Sequence, residues 1–385
     1  MDHETFKRLV RHELPADDPV LRDLQARHLV VTDPLRSTLA PLLSQYRTRK
    51  SYLLKGPALH IIVARNLIER RSLSFVLAST LHDLSNEQLA FFKEHRFKLS
   101  TSLDGPEWLH NANRPRPERD SYRRTLDGIE RGRAALGDDA VSALTTLTRK
   151  SLEAPEAIID EYHKLGFHSI SLRPLSPYGF ALKTRGRTGY TMDEFLSFYG
   201  KALEHLLAIN RSGYRMEETY ASLLLSQLFS PFSHGYVDLR SPTGAGFGAM
   251  IYDYNGQVYP SDEARMLAAM GEGRFSLGRV EQPIETWLAS PAMRALAEAG
   301  VAEALPTCSD CAYVPLCGAD PVDHFARQGD TVGHRPTSEF CRRQMGLLDL
   351  LLERYEQADQ QDRAILENWV FHSGIAQNEA FDAAA

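Results

Sequence analysis

Residues 73–106 read LSFVLASTLHDLSNEQLAFFKEHRFKLSTSLDGP, and this stretch decides the fold. The short stretches LSFVLAST (73–80) and KLSTSL (98–103) predict two strands. Ser85, between them, is typical of the residue that caps a helix N-terminus. The stretch ends in the turn signal Asp104-Gly105-Pro106. A strand, a helix and a second strand in this order predict a parallel pair joined by a helical crossover.

The alternation of strands and helices continues from about residue 56 to 214. We predict five strands, at 59–63, 73–80, 98–103, 141–148 and 169–175. Further helices are predicted at 121–136, 155–165 and 191–210. Such alternation indicates an α/β fold with a parallel sheet covered by helices, and it places a ligand site at the carboxyl ends of the strands.

One connection in this pattern is too short. Only nine residues separate Val63 from Leu73, whereas a parallel crossover needs a dozen or more. Either these two strands are not parallel neighbours, or a strand-helix unit is missing between them.

The C-terminal half has a different pattern. We predict a helix at 217–229 and a β-hairpin at 249–258 with a type I′ turn at Asn255-Gly256. A further helix is predicted at 287–299, little regular structure at 301–345, and a last helix beginning at Leu347.

Composition excludes several classes of protein. The 385 residues carry a net charge of -6 and lack the basic patch of a nucleic-acid binder. No apolar run approaches the roughly 20 residues that span a bilayer. The first residues are charged and contain no secretory signal. These observations predict a cytoplasmic protein whose thiols stay reduced, with neither nucleic acid nor membrane as partner.

All four cysteines of the chain, Cys308, Cys311, Cys317 and Cys341, lie in one short stretch. A C-x2-C pair with two further cysteines is typical of a metal site rather than of scattered core residues. Four thiolates suit tetrahedral zinc and a 4Fe–4S cluster equally well on spacing alone.

This region resembles a SPASM domain, the auxiliary-cluster domain of radical SAM peptide maturases. Cys308, Cys311 and Cys317 match its C-x2-C-x5-C run, and Cys341 matches its final cysteine. The family's remaining cysteines, which serve a second auxiliary cluster, are replaced here by Thr243, Ser261 and Pro321. The resemblance implies one 4Fe–4S cluster, with zinc as the alternative.

The wider chain, over about residues 20–360, is similar to maturases of the His-Xaa-Ser peptide system. The segments that carry this resemblance include TRKSYLLKGPALHIIV (48–63) and STSLDGPEWLHNANRPRP (100–117). It implies a helical, peptide-recognising segment at 1–55, an incomplete parallel β/α barrel at 56–214, a SPASM-like domain at 215–355 and a helical tail at 356–385.

The family's first strand leads into a C-x3-C-x2-C loop that holds the catalytic cluster. Here the strand at 59–63 leads into Ala64-Arg65-Asn66, and no cysteine precedes Cys308. S-adenosylmethionine is implied by the family, yet the chain lacks the thiolates that would let a cluster cleave it. The missing segment is either a natural loss or a deletion in the gene.

Five other residues are candidates for a site. Ser102, Asp104 and Arg173 follow or end predicted strands, and Arg114 could hold a carboxylate by bidentate pairing. The resemblance implies that Ser102 lies near S-adenosylmethionine and that Asp262 acts as a base toward the peptide. The alternatives are a strand-capping turn for Ser102 and Asp104, surface pairing for Arg114, and a hairpin-end carboxylate for Asp262.

The sequence therefore predicts a maturase of a ribosomally made peptide with His-Xaa-Ser repeats, defective in radical generation. The alternative is a non-catalytic iron–sulfur or zinc protein that binds a precursor peptide or a second maturase.

Overall fold

The computed structural model describes residues 14–26, 74–230 and 236–371, together with positions 5 and 8. The chain divides into two compact units. The described residues of one unit are 14–26, 237–314 and 318–322, and those of the other are 74–230, 236, 315–317 and 323–371. The predicted strand at 59–63 and its short link to Leu73 lie outside the described residues.

A parallel sheet forms the centre of the larger unit. Its strands are β1 Val76–Ala78, β2 Lys98–Ser102, β3 Val141–Thr146, β4 Ser169–Ile170, β5 Leu172–Arg173 and β6 Glu217–Glu218. The hydrogen-bonded order is β1-β2-β3-β5, and β4 pairs with β6, always in parallel. The stretch that follows β3 in sequence is divided into β4, which lies beside β6, and β5, which lies beside β3. With β4 and β5 counted as one strand, each strand lies beside the next in sequence, which is how a β/α barrel winds. The predicted α/β fold class with a partial parallel barrel is confirmed.

The predicted strand at 169–175 is divided at Ser171. The residues before Ser171 pair with β6, and those after it pair with β3. At the division, the backbone N–H of Leu172 donates to Oε1 of Glu218 over 3.0 Å. The Glu218 carboxylate also accepts from the backbone N–H of Ala221 and from the hydroxyl of Tyr199. One buried side chain therefore joins a strand and two helices.

Helices of the larger unit are Asn86–Glu94 (α2), Glu107–Asn113 (α3), Ser121–Leu136 (α4), Pro155–Lys164 (α5), Phe180–Thr188 (α6), Met192–Arg211 (α7), Thr219–Phe229 (α8), Glu339–Glu356 (α13) and Gln360–Phe371 (α14). Ser85 caps α2 as predicted, in a capping box with Gln88. Thr191 and Glu194 form the same box at α7. Glu217 and Glu218, predicted as helical, form a strand instead because they pair with β4.

The smaller unit contains an antiparallel sheet of β7 Ile251–Tyr252, β8 Gln257–Tyr259 and β9 Gly278–Arg279. Its helices are Pro19–Ala26 (α1), Asp262–Ala269 (α9), Ile284–Leu288 (α10) and Pro291–Ala299 (α11). The hairpin at β7-β8 was predicted. The type I′ turn is wrong, because only Gly256 of the pair has a positive φ, at +80°. Gly256 instead donates to the Asp253 carbonyl over 2.9 Å and closes a longer loop.

Two helix predictions in the C-terminal half are corrected. The helix predicted at 287–299 is two helices, because Ser290 caps α11 by accepting from the backbone of Met293. The segment 301–345 is not irregular throughout: it contains Pro321–Gln328 (α12) and the start of α13. Ser338 caps α13, so the last long helix begins eight residues before Leu347. Within the described residues, no helix combines the length and apolar character needed to span a membrane.

Candidate functional site

A buried ion pair lies where strand β2 ends. Asp104 is 1% exposed. Arg114 donates from Nε to Oδ2 over 2.8 Å and from Nη2 to Oδ1 over 3.1 Å. The backbone N–H of Thr146, at the end of β3, donates to the same Oδ1 over 3.0 Å. Sequence reasoning named Asp104 and Arg114 separately, and the structure brings them together as a pair that ties two neighbouring strand ends.

Two histidines extend this polar cluster. The Asp104 backbone N–H donates to Nδ1 of His110 over 3.2 Å, and Nε2 of His110 lies 3.2 Å from the Ser121 hydroxyl. Burial lowers the pKa of His110 to about 4, so its imidazole is neutral at pH 7. His82 contacts Thr125 and its pKa is also lowered by burial. Sequence reasoning did not single out either histidine, because their partners are distant in the chain.

Ser102 and Arg173 are the last residues of β2 and β5. Ser102 is half-buried and opposite Leu144, whereas Arg173 is exposed and opposite Thr146. Both therefore lie at the carboxyl edge of the parallel sheet, where ligands bind in folds of this kind. The Asp104 carboxylate at this edge is already occupied by protein donors, which makes it an anchor for the strand ends.

Asp262 lies elsewhere, in the first turn of helix α9. Its side chain is 51% exposed and pairs with Nε of Arg265 over 2.8 Å. The structure therefore shows this carboxylate as an exposed, ion-paired group at a helix N-terminus.

Two of the four cysteines, Cys308 and Cys311, share one turn. The backbone N–H of Cys311 donates to the Cys308 carbonyl over 3.0 Å, and Val314 donates to the Cys311 carbonyl over 3.2 Å. Thr307, just before this turn, has φ +65°. A β-branched residue rarely adopts this left-handed conformation, so the entrance to the C-x2-C turn is strained.

Cys341 lies in the first turn of α13, in a different setting. Its backbone N–H donates to Oγ of Ser338 over 3.1 Å. Ser338 in turn lies 2.9 Å from Nε2 of His324. Cys341 is thus carried on the first turn of a helix whose capping side chain is itself hydrogen-bonded.

The residues fit a thiolate-bound metal centre by their chemistry. All four cysteines are half-buried and none forms a disulfide. Across the described part of the chain, no three His, Cys, Asp or Glu side chains are gathered at metal-binding distance, so the assignment of ligands rests on sequence spacing. An orphaned, buried guanidinium nitrogen on Arg335, near Cys341 in sequence, suits an anionic group. Residues 1–307 contain no cysteine and so offer no thiolate for a second cluster.

The three positions where the resembling family has further cysteines play structural roles here. Ser261 caps α9 by accepting from the backbone of Ala264 over 3.2 Å. Thr243 is buried, and its backbone N–H donates to the Gly300 carbonyl over 2.8 Å. Pro321 is the first residue of α12, a position that proline favours.

Comparison with known proteins gives a clear structural likeness. No protein-family model and no curated sequence matches the chain. Native anSMEcpe with bound AdoMet superposes with a TM-score of 0.62 at 13% sequence identity, over 79% of this chain and 78% of that one. The same enzyme with AdoMet and the Kp18Cys peptide gives a TM-score of 0.62, also at 13% identity, over 79% of each chain.

This chain therefore shares the α/β fold of anSMEcpe. At 13% identity the likeness establishes the architecture of the chain. The site residues named above are assigned from this chain's own sequence and contacts.

Proposed function

We propose that this chain is a peptide-binding protein of radical SAM/SPASM architecture that holds one 4Fe–4S cluster on Cys308, Cys311, Cys317 and Cys341 and does not itself generate a radical. Its peptide is a ribosomally made precursor of the His-Xaa-Ser system, and its partner in the chemistry is an intact maturase.

The observation that carries this proposal is the confinement of every cysteine to residues 308–341. Four thiolates at metal-ligand spacing can hold a cubane cluster. The fold supports the peptide part of the proposal, since its structural neighbour has been solved with a bound peptide.

The same distribution of cysteines is the reason for proposing that the chain generates no radical. Reductive cleavage of S-adenosylmethionine requires a cluster held by three further thiolates, and residues 1–307 contain none. The described residues at the sheet's carboxyl edge are a serine, an Asp-Arg pair and an exposed arginine. They can bind and orient an anion or a peptide carboxylate, but they cannot transfer an electron.

Anaerobic reconstitution with iron and sulfide tests the metal centre. We expect about four irons per chain and absorbance near ~400 nm, as for a single cubane. Cys311→Ala should abolish both, while Ser309→Ala, in the same turn, should leave them unchanged. Zinc as the only tightly bound metal, or iron equal to two clusters, would contradict the proposal.

Incubation with S-adenosylmethionine and dithionite tests the catalytic part. Reconstituted protein should form no 5′-deoxyadenosine above the buffer background, with anSMEcpe as the positive control. Formation of 5′-deoxyadenosine that depends on the protein would contradict the non-catalytic assignment.

Binding of a fluorescent peptide tests the partner. A peptide with His-Xaa-Ser repeats should bind, and a scrambled peptide of equal composition should bind at least tenfold more weakly. Equal binding of the two would rule out recognition of the repeat.

A further inference from the structure

A buried arginine lies close in sequence to Cys341. The side chain of Arg335 is in the short turn Arg335–Thr337 that precedes α13, and the residue is only 7% exposed. Its Nη1 atom contacts the ring of His324, at 3.1 Å from Nδ1. Its Nε and Nη2 atoms are buried and have no hydrogen-bond partner among the described residues.

The acidic groups of the adjoining helices are engaged with other arginines. Asp323 in α12 accepts two hydrogen bonds from Arg327, of 2.9 and 3.1 Å. Glu339 in α13 pairs with Arg327 and, at 3.3 Å, with Arg185. Within the described chain no carboxylate forms an ion pair with Arg335, which is therefore a buried cation without a counter-charge. Such a group is costly unless an anion is present.

Contacts connect Arg335 to the metal-ligand candidate. Arg335 contacts His324, whose Nε2 lies 2.9 Å from the hydroxyl oxygen of Ser338. That oxygen accepts the backbone N–H of Cys341 over 3.1 Å. The ring of His324 is held in place by Phe340, with 5.5 Å between ring centroids. The guanidinium is thus fixed by packing and contacts beside the helix turn that carries the cysteine.

We propose that Arg335 is the counter-charge of the metal centre, positioned by His324. This inference rests on the proposed function, because it supposes that Cys341 ligates a metal. A centre with four thiolate ligands carries net negative charge whether the metal is an iron–sulfide cubane or zinc, and nearby cations and hydrogen bonds set its stability and potential. Arg335 is a positioning residue in this account and touches no reacting atom.

The proposal predicts opposite effects on the two states of the protein. Arg335→Met keeps much of the side-chain volume and removes the charge. In the metal-free protein it removes an uncompensated buried cation, so the melting temperature should rise or stay unchanged. Anaerobic loading with iron and sulfide should raise the melting temperature of both proteins. This rise should be smaller for Arg335→Met than for the wild type.

The cluster's reduction potential is the second readout. Loss of a positive charge disfavours the more negative reduced cluster, so Arg335→Met should lower the potential, and Arg335→Lys should retain most of the wild-type value. Arg342→Gln is the matched control: Arg342 follows Cys341 directly, but it is 63% exposed and pairs with Asp193. Its removal should leave the potential nearly unchanged because water screens the charge.

Two outcomes would overturn the inference in different ways. If the wild type assembles its cluster, and Arg335→Met lowers both melting temperatures equally with no change in potential, Arg335 is merely structural and the proposed function stands. If the wild type takes up neither iron with sulfide nor zinc, the proposed function and this inference both fail.

Discussion

Arg114 holds Asp104 through two hydrogen bonds, of 2.8 and 3.1 Å, at the point where strand β2 ends. The arginine is about one-third exposed, whereas the carboxylate is inaccessible to water. Because Thr146 on the next strand donates to the same carboxylate, the pair fixes the spacing of two strand ends at the edge where a ligand would bind.

Asp104→Ala should therefore destabilise the protein by about 3 kcal/mol, since it leaves a buried N–H and a partly buried guanidinium without their acceptor. Urea unfolding at pH 7 measures the change. Asp262→Ala is the control, because it removes a carboxylate from an exposed pair and should cost less than about 1 kcal/mol. Similar losses for the two variants would show that Asp104 is not an anchor.

His110 should make stability depend on pH in a defined window. Burial lowers its pKa to about 4, against 6.5 in the unfolded chain. As pH falls from 6.5 to 4, His110 binds a proton in the unfolded chain but not in the folded chain. The free energy of unfolding therefore falls by roughly 3 kcal/mol in total from this group. His110→Asn should remove that part of the slope.

The comparison with wild type must be made at each pH by urea unfolding. His205→Asn, which removes the imidazole of a histidine paired with the exposed Asp160, is the control and should retain the fall in stability that His110 causes. An unchanged slope in His110→Asn would contradict the assignment.

Glu217 should give the pH dependence of stability the opposite sign to that of His110. Burial raises its pKa to about 7, although Arg215 opposes the shift. Its stabilising contribution is complete below the unfolded pKa of about 4.5 and is lost as pH rises through 7. Glu217→Gln should therefore gain up to roughly 3 kcal/mol relative to wild type between pH 5 and pH 8. Glu272→Gln, at a half-buried carboxylate paired with Arg274, should show no such gain in the same unfolding series.

Two helical glycines form a matched test of packing. A Cβ on Gly128 in α4 would lie 2.5 Å from the Leu81 carbonyl oxygen, whereas a Cβ on Gly186 in α6 would meet open space. Gly128→Ala should destabilise by at least about 2 kcal/mol through overpacking. Gly186→Ala should stabilise by up to about 1 kcal/mol. Thermal unfolding of the two variants measures these changes. Unchanged stability in Gly128→Ala would contradict the close approach of Gly128 to the Leu81 carbonyl oxygen.

Much of the larger unit could be predicted because its signals are local. Ser85 and Thr191 cap helices with partners three residues away. In strands β2 and β3, buried residues alternate with more exposed ones. Such patterns are visible in the sequence without knowledge of the fold.

Features that depend on distant contacts were not predictable. Ser171 divides a strand because its two sides find different neighbours, and Glu218 leaves the predicted helix to pair with β4. In the sequence Arg335 resembles any loop arginine, and only the fold shows that it is buried and in contact with His324. At the candidate site, the cysteines were identified by spacing, whereas the pairing of Asp104 with Arg114 required the fold.

One hydrogen bond of the parallel strands has a side chain as its acceptor. At Leu172 the acceptor of the ladder hydrogen bond is the Glu218 carboxylate instead of a peptide carbonyl. A substitution cannot remove the carbonyl acceptor of an ordinary hydrogen bond between strands, because every amino acid carries the same backbone. A single substitution at Glu218 can lengthen, neutralise or delete this hydrogen bond, which gives an experimenter control over one main-chain contact of the sheet.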